Sequence, residues 1–146
     1  MSAIQDLEIL LVEDNEGDIR LTIEAFNEAN IRNKIQVVRD GEEALAYLKK
    51  KGLYVDVQLP DIILLDINLP KIDGREVLST MKKDAALKSI PVIMLTTSSA
   101  DTDIEDSYAN HANCYVVKPV DLGKFMDVVR SIEGYWTSTV KLPNKA

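Results

Sequence analysis

Asp66 closes the apolar run Ile62-Ile63-Leu64-Leu65, and Glu13-Asp14 closes a second, Ile9-Leu10-Leu11-Val12. Carboxylates placed this way can do two things. They ligate a hard cation such as Mg2+, which takes oxygen donors and retains waters. One of them can also attack phosphorus and form an acyl phosphate, while a bound cation neutralises the oxygens of the group in transfer. Like charges gathered without such a cation are costly, so convergence of these acids implies a metal. Two further polar residues close apolar runs: Thr96 after Val92-Ile93-Met94-Leu95, and Lys118 after Tyr115-Val116-Val117. Thr96 offers a hydroxyl donor, and Lys118 a point charge for a phosphate oxygen or for Asp66. An acceptor aspartate, an acidic metal cluster, a hydroxyl and an ammonium make a compact phosphoryl-transfer site.

These residues meet only if the runs are parallel strands with their C-terminal ends on one edge. Continuous apolar runs of strand length are the mark of strands buried on both faces. The pattern predicts strands over about 7–12, 35–38, 62–65, 92–95 and 115–117. Helix-period segments alternate with them. Asn15 is a candidate N-cap for the first, which carries Ile19, Ile23 and Phe26 at helical spacing. Asp40-Gly41 opens a second with Ala44, Leu45 and Leu48, followed by lysines, Gly52 and a loop to Pro60. Asp73-Gly74-Arg75-Glu76 has the form of a capping box before Val77, Leu78 and Met81. A polar helix over 99–108 and a last helix from Asp121 complete five β/α units. Strict alternation predicts an α/β doubly wound parallel sheet with helices on both faces. In open α/β sheets the ligand site lies at the carboxyl ends of the strands, where the acids, Thr96 and Lys118 fall.

Composition narrows the alternatives. At 146 residues the chain fits one domain, with a core over about 6–136 and a polar tail over 137–146. A net charge of −7 argues against binding nucleic acid, which needs a basic surface. There is no apolar stretch of membrane-spanning length and no signal-peptide pattern, so no membrane partner is expected and the cytoplasm is the expected location. Cys114 is the sole cysteine, read as a buried structural thiol, and His111 the sole histidine, read as a loop residue. Histidine-based triads and multi-histidine metal sites are thereby excluded. The Gly-rich P-loop and the G-x-G-x-x-G dinucleotide pattern are both absent. A phosphatase with an aspartyl nucleophile usually carries D-x-D after its first strand, where this chain has Glu13-Asp14-Asn15.

The combination resembles the receiver domains of two-component response regulators. It is carried by Ile9 to Asn15, by Ile62 to Pro70, by Asp73-Gly74, by Pro91 to Thr96 and by Tyr115 to Pro119, in this order over essentially the whole chain. The resemblance implies a flavodoxin-like (βα)5 fold with strand order 2-1-3-4-5. It implies that Asp66 is the phosphoacceptor. Glu13, Asp14 and Asp66 would bind Mg2+ or Mn2+, with Asn68 lending its backbone carbonyl. Thr96 and Lys118 would contact the phosphoryl group, and Tyr115 would occupy the aromatic switch position. Pro119 would follow a cis peptide bond. The side chains of Asn68 and Ser98 occupy positions that tune phosphoryl lifetime in the family. Glu13 stands where many relatives have Asp. The role implied is that of a single-domain phosphoacceptor in two-component phosphorelay signal transduction, not an enzyme in its own right. The long segment from Lys50 to Leu59 and the ending from Glu133 to Pro143 resemble regulators paired with cyanobacterial phytochrome histidine kinases. An alternative is a docking protein that keeps the fold without phosphorylation. Such proteins commonly lose the acceptor or the lysine, and both are present here.

The last helix has an apolar arc wider than one packing face requires. Leu122, Phe125, Met126 and Val129 form a core stripe, and Val128, Ile132, Tyr135 and Trp136 extend it. Tyr135 and Trp136 either cap the core edge or form an interface. The second reading predicts a homodimer through the last strand and last helix.

Overall fold

The computed structural model describes residues 7–28, 33–96 and 114–117, the last four as backbone. The elements are β1 (Leu7–Val12), α1 (Glu16–Glu28), β2 (Asn33–Val38), α2 (Gly41–Leu48), a 3-10 turn (Gly52–Tyr54), β3 (Ile62–Asp66), α3 (Gly74–Lys82), β4 (Val92–Thr96) and β5 (Cys114–Val117). The strands form one sheet in the order β2-β1-β3-β4-β5, and every adjacent pair is parallel. Strand order and alternation agree with the expected doubly wound fold. β2 begins two residues earlier than the apolar pattern indicated, at Asn33. It lies at the sheet edge, where Lys34 and Gln36 face solvent, and polar residues are tolerated there.

The three inner strands, β1, β3 and β4, are buried on both faces, as their continuous apolar runs require. Ile9, Leu11, Ile62, Leu64, Ile93 and Leu95 pack with Ile19, Ala25 and Phe26 of α1. Leu10, Val12, Ile63, Leu65 and Met94 turn the other way, onto Ala44, Leu48, Val77, Leu78 and Met81 of α2 and α3. Successive residues of a strand point to opposite faces, so these three strands feed two cores. Each fully buried aliphatic side chain contributes about 1.5–3 kcal/mol.

The caps fix where the loops at the site's edge begin and end. Asn15 Oδ1 accepts the Asp18 N–H at 2.9 Å, as the N-cap expectation required. Asp73 caps α3 through the Arg75 N–H at 2.7 Å, but the capping box expected over 73–76 does not close, because Glu76 is exposed. The box-like exchange forms instead at α2. Asp40 accepts the Glu43 N–H at 2.7 Å, and Glu43 Oε1 accepts the Arg39 N–H at 2.8 Å.

Candidate functional site

Register brings the acids together. Val12 pairs with Leu65, so Glu13 and Asp66 stand level one residue further on. Glu13 continues the Ile9, Leu11 side of β1, and Asp66 the Ile62, Leu64 side of β3, which is the same face. One carboxylate oxygen from each of Glu13, Asp14 and Asp66 lies within 4.8 Å of the others. Glu13 is fully buried and Asp66 is 4% exposed, whereas Asp14 faces solvent. The cluster therefore has two fixed inner acids and one outer acid open to water.

Each inner acid also organises its own loop. Glu13 Oε2 accepts the Asn15 N–H at 3.2 Å, and Asp66 Oδ1 accepts the Asn68 N–H at 3.1 Å. These bonds turn the chain just past the strand. The Glu13 N–H donates to Val38 O at 3.0 Å, and the Ile67 N–H to Leu95 O at 2.9 Å, extending the ladders past the strand ends.

Two glycines set how closely the neighbouring helices approach the β3–α3 loop. A Cβ on Gly74 would stand 2.1 Å from Asp66 O, and one on Gly41 would stand 1.9 Å from Ile72 O. The Gly74 N–H donates to Ile67 O at 2.9 Å and the Gly41 N–H to Pro70 O at 3.4 Å. Both glycines therefore allow backbone contact that any side chain would prevent. Sequence reasoning placed them only as helix openers. The repeated Asp-Gly at 40–41 and 73–74 was the available signal.

The donor set fits a hard cation. It comprises three carboxylates, two of them buried, with the third accessible to an incoming hydrated ion. Asp66 pairs with Leu95, and Thr96 with Val117, so the backbone places Thr96 one step beyond the level of Asp66. Tyr115 pairs with Met94. The side chains of Thr96 and Tyr115 lie outside the described residues. So do Ser98, Lys118, Pro119, Val128, Ile132, Tyr135 and Trp136, together with the fourth and last helices. Among the described residues no helix is long and apolar enough to cross a membrane.

A five-stranded parallel sheet with an acidic triad at its carboxyl edge defines the class, and sequence comparison agrees. Residues 9–130 match the response regulator receiver domain, and the chain belongs to that family. It is 45% identical over 135 residues to the response regulator Rcp1 of Synechocystis sp., covering 92% of each chain. The crystal structure of the phosphorylated cyanobacterial phytochrome response regulator RcpA is similar at TM-score 0.82 and 48% identity, covering 95% of this chain and 99% of that one. The Mn(2+)-bound form of Rcp1 is similar at TM-score 0.80 and 44% identity, covering 94% of this chain and 99% of that one.

Proposed function

We propose that the chain acts over residues 1–146 as a receiver that takes a phosphoryl group on Asp66 from a histidine kinase of the phytochrome type. The observation that carries this reading is the convergence of Glu13, Asp14 and Asp66 oxygens within 4.8 Å at the carboxyl edge of the sheet, in a chain of the receiver family. An Asp66 oxygen attacks the phosphorus of the kinase's phosphohistidine. The P–N bond breaks, its electron pair returns to the imidazole, and an acyl phosphate remains on Asp66. Glu13, Asp14 and Asp66, with the Asn68 carbonyl, hold Mg2+ or Mn2+, which supplies charge neutralisation for the phosphoryl oxygens. The Asn68 N–H bond fixes the Asp66 carboxylate in orientation, and the exposed Asp14 leaves room for the donor.

Thr96 and Lys118 bind the phosphoryl group, and Tyr115 follows Thr96 as the conformation shifts. The family resemblance also implies a cis peptide bond before Pro119. The protein is a phosphoacceptor, not a turnover enzyme. It works in the cytoplasm without nucleic-acid or membrane partners. It signals through a homodimer that uses the last strand and last helix, with Val128, Ile132, Tyr135 and Trp136 at the interface.

Incubation with a phosphorylated histidine kinase and Mg2+ tests the acceptor. The wild type is expected to take up stoichiometric acid-labile phosphate, and Asp66→Asn none while remaining folded. Wild-type uptake by that variant would show that the acceptor is elsewhere. Sedimentation showing only monomer, with and without phosphorylation, would remove the dimer.

A further inference from the structure

The segment between α2 and β3 exposes apolar side chains that the receiver site does not use. Leu53 is 94% exposed and Val55 63%. The residue between them is held fast. The Tyr54 hydroxyl donates to Glu43 Oε2 at 2.7 Å, and its ring packs on Tyr47 at a centroid distance of 5.1 Å. Val57 and Leu59 then fasten the segment to the core. Leu53 and Val55 are thus presented from an anchored frame.

Lys49, Lys50 and Lys51, all exposed, stand beside them. The Lys50 and Lys51 N–H groups bond Tyr47 O and Ala46 O at 3.1 and 2.9 Å, which is a Schellman closure. Lys50 takes the left-handed position at φ 55, where glycine or asparagine is the usual choice. Lysines at a helix C-terminus are favourable in themselves. That accounts for their charge, but not for two large apolar side chains left in water beside them.

We propose that this patch docks an acidic, apolar-anchored segment of a partner protein, independently of phosphorylation. Charge complementarity selects that occupant. The patch carries three consecutive lysines on a chain of net charge −7. A short acidic segment can lie along the lysines and stop short of Asp56, whereas an anionic membrane plane would also face the acidic remainder. Asp56, also exposed, marks the acidic limit of the patch. Position supplies the independence. The segment runs into Asp61, whose N–H bonds Glu8 O at 2.8 Å at the start of the sheet. It therefore lies at the N-terminal edge, roughly 16 Å of strand from the acids, at about 3.3 Å per residue. A bound partner leaves the phosphoryl site open.

The test is titration of the full-length, isotope-labelled protein with a peptide of alternating glutamate and leucine. Amide shifts confined to 49–57 are expected, with affinity falling as salt rises. Leu53→Ser should weaken binding about tenfold, and neutralising Lys49 and Lys51 with glutamine should reduce the salt dependence to that of one remaining lysine. Phosphate uptake should be unchanged in both variants. Absence of shifts over 49–57 would overturn the proposal. So would binding to vesicles of equal parts phosphatidylcholine and phosphatidylglycerol that Leu53→Ser removes, which would assign the patch to lipid. Concentration-dependent self-association moving the same amides would assign it to a second copy and overturn it equally. Loss of phosphate uptake in Leu53→Ser would make the segment structural and end the docking reading.

Discussion

The loop after β3 and the loop after β1 bring acids to the same cluster, yet they are built differently. Residues 67–73 are gripped from several sides: the Ile67 N–H on Leu95 O, the Gly74 N–H on Ile67 O, the Ile72 N–H on Pro70 O, and the Gly41 N–H on Pro70 O from α2. Two helix starts press on it with no room for a Cβ, and Lys71 within it holds a left-handed φ of 67. Residues 13–15 have lighter support: the Glu13 N–H on Val38 O, the Asn15 N–H on Glu13, and the Asn15 cap. Asp14, at its middle, is exposed. The acceptor side is thus held mainly by tertiary backbone contact, and the metal side by the Glu13–Val38 backbone bond together with local side-chain bonds. A reacting carboxylate has to be oriented closely, whereas a ligand that admits a hydrated ion benefits from access.

The largest predicted difference comes from adding one methyl group to each side. Gly74→Ala and Gly41→Ala should each destabilise by about 3 kcal/mol or more, because their Cβ atoms meet backbone that cannot rotate away. Gly17→Ala, at the start of α1, would meet only the Asn15 side-chain oxygen at 3.3 Å. It should be neutral or stabilise by about 0.5–1 kcal/mol, since alanine favours helix. Urea denaturation of the three variants decides the matter. Equal losses at 17 and 74 would erase the contrast between the loops.

Next in size is a reversal with metal. Three carboxylates within 4.8 Å repel one another. Without divalent cation, Asp14→Asn should raise the melting temperature. With millimolar Mg2+ the order should invert, because the wild type gains ligand-linked stability that the variant has lost. Thermal melts with and without Mg2+ measure it. Asp14→Asn melting below the wild type in chelator would mean that other groups already balance the cluster and that repulsion is not its governing feature.

The two loops also differ in how well the sequence announced them. β1 and β3 were legible because burial on both faces leaves an unbroken apolar run. The convergence of Glu13, Asp14 and Asp66 then followed from parallel strands. Strand order came from family resemblance, since nothing in the runs themselves orders them. The glycine contacts were not legible. Gly41 meets Ile72, thirty-one positions away, and only tertiary packing creates that approach. The capping box was misplaced for a related reason. Asp40-x-x-Glu43 and Asp73-x-x-Glu76 share one local pattern, and Glu43 is retained at its own helix by Arg39 and Tyr54. The exposure of Leu53 inverts the usual expectation for leucine, so no periodicity could have signalled it.

Smaller still are the caps. Asn15→Ala and Asp73→Ala should each cost about 1 kcal/mol. Only the first should also loosen metal binding, because losing the Asn15 side-chain cap frees the loop whose backbone N–H, kept in the variant, orients Glu13. Isothermal titration with Mn2+ separates the two, and equal losses of affinity would show the β3–α3 loop to be no better held than its neighbour.

The smallest effect lies at α2, whose first turn grips the acceptor loop. The hydrogen bond from Tyr54 to Glu43, then burial and the charges of Glu43 and Asp40, push the phenol up from 10.0 to about 12. A folded-state pKa above the unfolded value means stability that is intact below pH 10 and lost as pH rises through about 12. Tyr54 is partly exposed, so solvent screening keeps the effect small. Ultraviolet titration of the phenolates should show Tyr54 ionising in a step near 12. In Tyr54→Phe the step near 12 should vanish, along with its share of the alkaline loss of stability, while the raised Tyr47 remains. An unchanged step near 12 in that variant would shift the assignment to Tyr47, which burial and the nearby Glu8 charge also raise. The Tyr54–Glu43 bond would then add nothing measurable to the grip of α2 on the loop beside Asp66.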